Sequence, residues 1–82
     1  MTWNYRIISE KAPHGEFYQI YEVYYDEGKI IGMTESPCKP YGDDVEDLRY
    51  NMKQMLQALD RPILQMDALE NAFKQRKSLE VA

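Results

Sequence analysis

The hydrophobic and polar positions of this chain change period once. Up to residue 34 they alternate, and after Gly42 they recur at helical spacing. Trp3, Tyr5 and Ile7 lie on one side of a two-residue repeat, which predicts a first strand from Trp3 to Ser9. Glu10-Lys11-Ala12-Pro13-His14-Gly15 reads as a polar loop. Phe17 to Tyr25 carries the strongest strand pattern, with Phe17, Tyr21, Val23 and Tyr25 on one face and Tyr18, Ile20, Glu22 and Tyr24 on the other. Both faces bear large apolar area, so at least one aromatic row is expected to need cover from outside this sheet. Asp26-Glu27-Gly28 separates that strand from Lys29-Ile30-Ile31-Gly32-Met33-Thr34. Gly28 suits the left-handed position of a three- or four-residue hairpin loop with a bulge. The expectation is a three-stranded antiparallel meander.

Beyond Gly42, Val45, Leu48, Met52, Met55, Leu56 and Leu59 form one apolar stripe at helical repeat. Asp44 is placed to cap this helix with Asp47 at its third position, and Asp43 with Glu46 offers a frame one residue earlier. Acids in the first turn suit the helix dipole. Pro62 disfavours helical geometry at Arg61, so the helix is expected over 44–60. Ile63-Leu64 is expected to lie extended against the core. Asp67-Ala68-Leu69-Glu70 looks like a second helix start, with a narrower stripe at Leu69, Ala72, Phe73 and Leu79 and with Lys74, Arg76 and Lys77 towards its end. The predicted class is α+β: the meander, one long amphipathic helix packed on it, and a shorter C-terminal helix at the sheet edge or in a dimer contact. Residues 1–64 form the expected core of a single domain, and 65–82 a C-terminal helix and tail.

Eighty-two residues bury a core with little margin, for which a dimer or a partner is a common remedy. No apolar run approaches the roughly 20 residues of a membrane span, and Met1-Thr2-Trp3-Asn4-Tyr5-Arg6 lacks the order of a secretion signal. With one cysteine and no internal disulfide, the cytoplasm is the expected compartment. The net charge of −4 argues against a general nucleic-acid binder, which needs a cationic surface.

Three stretches resemble a family of small uncharacterised bacterial proteins: Trp3-Asn4-Tyr5-Arg6-Ile7, Glu22-Val23-Tyr24-Tyr25-Asp26-Glu27-Gly28-Lys29-Ile30, and Thr34-Glu35-Ser36-Pro37. The likeness continues through Gly42-Asp43, Leu48-Arg49, Met52, Met55 and Ala58-Leu59-Asp60-Arg61-Pro62-Ile63-Leu64. It covers roughly residues 1–64, leaves Cys38 outside its pattern, and implies no activity. The β-β-β-α order, with an acid-capped helix entered through a Gly-Asp turn, is also similar to HicB-type antitoxins. That resemblance implies a toxin-binding domain whose DNA-binding segment lies elsewhere.

Candidate chemistry is sparse. Cys38 is the one thiol and His14 the one histidine, in different loops, and a nucleophilic cysteine needs a base or a positive field. One Cys and one His fall short of a zinc site, and Asp43, Asp44, Glu46 and Asp47 lack the spacing of a calcium loop. No phosphate loop or serine-nucleophile motif is present. A non-enzyme without metal or cofactor is therefore expected. The tyrosines point elsewhere, since tyrosine buries large area at protein interfaces while its hydroxyl stays bonded. Trp3, Tyr5, Tyr18, Ile20 and Tyr24 form the candidate interaction surface, and Leu69 and Phe73 a candidate dimer or partner helix. Met52 and Met55 read as fillers between helix and sheet. The expected role is non-catalytic protein binding or regulation, with the chain itself as partner in a homodimer. An antitoxin-like or phage-type inhibitor of a nucleic-acid enzyme and an RNA-binding sheet are the alternatives.

Overall fold

The computed structural model describes the backbone of residues 1–81 and the side chains of residues 1–74. Strands β1 (Thr2–Ala12) and β2 (Gly15–Asp26) form a long hairpin, paired from Thr2 opposite Tyr25 to Ala12 opposite Gly15. Its loop is only Pro13-His14, so β1 runs three residues past Ser9, through what the sequence suggested was loop. Gln19 Nε2 donates to Glu10 Oε2 across the ladder at 2.8 Å, which gives Glu10 a place inside the strand.

Strand β3 (Lys29–Met33) adds antiparallel to β2. Asp26 pairs with Lys29, leaving a two-residue loop of Glu27 and Gly28 at φ 50° and 78° rather than the longer loop expected. Two consecutive left-handed residues make a type I′ turn, whose twist matches that of the strands. The bulge lies further along: Tyr24 pairs with Gly32 and Tyr25 with Ile30, so Ile31 is the extra residue.

Helix α1 (Val45–Leu56) starts where the acids predict, with Asp44 extended and its carboxylate accepting from the Asp47 N–H at 2.8 Å. The helix tightens to a 3-10 turn over Gln57–Asp60, and Arg61 before the proline is extended at φ −109°, ψ 153°. The chain then forms β4 (Leu64–Gln65), parallel to β1 with Ile8 opposite Leu64 and Ser9 opposite Gln65. The sheet is therefore four-stranded and mixed, in the order β3-β2-β1-β4, not a three-stranded antiparallel meander. A meander leaves the outer edge of β1 unpaired, and the segment after Pro62 takes part of it up. Arg6 secures that return, donating to the Pro62 carbonyl and, through Nη1, to the Tyr25 hydroxyl at 2.9 Å.

Helix α2 (Met66–Val81) has 16 residues against 12 in α1, so the C-terminal helix is the longer of the two. It packs on the sheet face opposite α1 rather than at an edge. Leu69 is buried with Ile8, Tyr21 and Val23, and Leu64, Met66 and Phe73 pack around them. Lys11 Nζ lies 3.1 Å from Asp67 Oδ2, joining β1 to the first turn of α2. The side chains of Arg76, Lys77 and Leu79 lie outside the described residues. The two apolar faces of β2 thus each receive a helix, and the architecture is α+β with one helix on either side of a curled mixed sheet. Among the described residues no helix is long and apolar enough to cross a membrane.

Candidate functional site

The connection from β3 to α1 decides where that helix lies. Thr34 N–H donates to Glu22 O at 3.0 Å, and Cys38 N–H to Ile20 O at 2.8 Å, so residues 34–38 follow the outer edge of β2 after β3 has ended. The chain then crosses to the helix start at Gly42. A Cβ placed on Gly42 would fall 2.6 Å from Leu48 Cα and 2.7 Å from the Asp47 carbonyl carbon. Glycine is required there by close approach to the helix backbone, not by an unusual dihedral.

Asn51 then fixes the roll of α1. Its Oδ1 accepts from the Tyr41 N–H at 3.0 Å and its Nδ2 donates to the Tyr5 hydroxyl at 2.9 Å. One side chain therefore joins connector, helix and sheet. Arg61 Nη1 donates to Tyr5 O at 3.2 Å a few residues on. At about 100° per residue, Asn51, Met55 and Ala58 share one flank of the helix. That flank faces the sheet, where Met55 and Ala58 are buried against Tyr5 with Ile7, Ile20 and Cys38 around them.

Most of the rest of the stripe is left outside, with Leu48 half-buried. Val45, Met52, Leu56 and Leu59 are between 51 % and 69 % exposed. Because α1 sits over β1, a groove of about 710 Å³ opens between it and β2. Tyr18 and Ile20 line it on the sheet side, Pro37 and Cys38 on the connector, and Met52, Leu56 and Leu59 on the helix. A second depression of about 360 Å³ continues beside Val45, Leu48, Met52 and Leu56. Among the described residues, the charged side chains lining the two hollows are Lys39, Arg49 and Lys53, with no carboxylate. Arg49 Nη2 lies 3.4 Å from Glu46 Oε1, whereas among the described residues neither Lys39 nor Lys53 is in an ion pair.

The five residues singled out on the sheet share one face, as the β1–β2 register requires. They are not one open surface. Tyr5 is 9 % exposed beneath α1, its ring edge-to-face on Trp3 with centroids 5.1 Å apart. Ile20 and Tyr24 are half-buried, and Trp3 and Tyr18 are exposed on either side of the helix-covered region. The Tyr24 phenol is pushed up in pKa by partial burial and then by the Glu22 carboxylate. Leu69 is buried and Phe73 half-buried against the chain's own sheet, so neither forms a free helix face. The residues that sequence reasoning placed in the core but the fold leaves exposed are Val45, Met52, Leu56 and Leu59. The available signal was the pair Asn51 and Ala58, whose spacing of seven puts a polar and a small residue on one flank of the stripe.

Little of the remaining chemistry converges. Cys38 Sγ is 3.8 Å from Thr34 Oγ1 and 4.0 Å from Glu22 Oε2, and neither neighbour is a cation. His14 sits in the turn between β1 and β2. Among the described residues no three His, Cys, Asp or Glu side chains gather where they would hold a metal ion. On the opposite face Tyr21, 3 % exposed, donates to Glu10 Oε2 at 3.0 Å. Burial first, and then the bond to and charge of Glu10, push its phenol up to about 12. No protein-family model matches the chain, and no curated protein or solved structure is significantly similar to it.

Proposed function

We propose that this chain is a small non-catalytic protein-binding module, and that the groove between α1 and β2 is its binding surface. The observation that carries the reading is the exposed stripe of Val45, Met52, Leu56 and Leu59 on a helix whose orientation is set by Asn51. An apolar surface left open on a single helix, beside a concave sheet face, is the form in which amphipathic segments are recognised. The interaction residues expected on the sheet contribute through Tyr18 and Ile20, which border the groove; Tyr5 acts beneath the helix as its support.

Affinity capture from the native host with the wild-type chain and with Leu56→Glu tests this reading. A protein recovered by the first and lost by the second, with unchanged circular dichroism, is the expected result. Identical recoveries would remove the groove from the function. Light scattering of the same two proteins at high micromolar concentration reads self-association, and a dimer that Leu56→Glu dissolves would place a second copy in the groove.

A further inference from the structure

We infer that the occupant of the groove is an acidic amphipathic helix of another protein, an inference that rests on the groove being a protein-binding surface. Three observations lead there. The exposed stripe from Val45 to Leu59 follows α1 and the 3-10 turn after it for about 22 Å, the length of some four helical turns. Its side chains recur at helical spacing, so ridges of a second helix laid beside α1 fit between them, with Tyr18 and Ile20 beneath. The charges decide the partner's chemistry. In a chain of net charge −4, the charged residues lining the two hollows are, among the described residues, Lys39, Arg49 and Lys53; Arg49 is paired with Glu46, which leaves the two lysines to meet a partner. Carboxylates flanking an apolar stripe would meet Lys39 on one side of the groove and Lys53 on the other. The same charges disfavour a second copy: an antiparallel pairing of α1 about Met52 brings Lys53 against its own counterpart, and like charges facing each other across an interface weaken it.

Panning a random 16-residue peptide display library on the full-length chain tests the inference. Enriched peptides are expected to carry apolar residues at helical spacing flanked by Asp and Glu. A synthetic peptide of the enriched consensus, followed by fluorescence anisotropy, should bind about tenfold more weakly to Lys39→Glu/Lys53→Glu and progressively more weakly as salt screens the charges. Leu56→Glu should abolish its binding. Loss with Leu56→Glu but indifference to the lysine reversals, or enrichment of basic peptides, would overturn the acidic partner and leave the groove reading standing. No enrichment, or binding indifferent to Leu56→Glu, would overturn both. A dimer that Leu56→Glu dissolves would overturn the heterologous partner in favour of a second copy.

Discussion

The two faces of the sheet are covered by helices of opposite character. On the α2 side a weakly patterned helix delivers Leu69 into a closed cluster with Ile8, Tyr21 and Val23, and the neighbouring apolar side chains pack around it. On the α1 side the helix with the clearer stripe buries only Met55, with Ala58 following in the 3-10 turn. Amphipathic strength therefore does not measure how much of a face is used within the chain. The α2 side is a core in the ordinary sense. The α1 side is a helix held at a fixed roll by polar contacts, with half of its apolar arc turned outward.

This difference can be broken most directly by truncation. Ile8→Ala, on the closed side and fully buried, should cost about 2–5 kcal/mol in urea unfolding. Leu56→Ala, on the open side, should stay within about 0.5 kcal/mol. Equal losses would mean that the two faces are packed alike. Gly42→Ala places a methyl group on the backbone of Leu48 and should cost about 1–3 kcal/mol, with weakened binding at the groove because α1 must shift away from its joint. An unchanged melting temperature would show that the connector yields.

A titration sharpens the closed side. Burial and Glu10 raise the Tyr21 phenol to about 12 from the ordinary tyrosine value of 10.0, so the native state holds its proton more tightly than the unfolded chain does. That contribution is complete below pH 10 and is lost as pH rises towards 12. Stability followed by denaturant midpoint should fall across this window, and Tyr21→Phe should flatten the fall. An equally steep fall in the variant would assign the alkaline loss to other groups. The smallest effect is expected at the helix start, where Asp44→Ala removes the cap accepted by Asp47 and should cost about 1 kcal/mol. A negligible change would show that α1 is held by Asn51 and Gly42 without its cap.

Much of the local structure was legible from residue types. Asp44 names the first turn of α1, Pro62 its end, and Gly28 the second hairpin, because capping, ring geometry and left-handed backbone act over a few residues. The misreadings concern choices between distant segments. Pro13 and His14 suggested a longer loop, yet the ladder continues on both sides of them. Leu64 looked merely extended and becomes a parallel strand because the edge of β1 is vacant. The groove was hidden for the same reason, since a stripe at helical repeat records which residues share a side and not which way that side faces.

Residue pattern alone thus determined the order of the first three strands and α1, the Asp44 cap, and which residues within each strand share a side, all consequences of local backbone geometry. Tertiary structure decided that Tyr5 lies under α1, that α2 closes the opposite face, and that Met52, Leu56 and Leu59 stay outside. The placement of α1 depends on three contacts that join separate segments: Asn51 with Tyr5, Gly42 with Leu48, and Cys38 with Ile20. Together they hold α1 over β1 and leave the side of it next to β2 open.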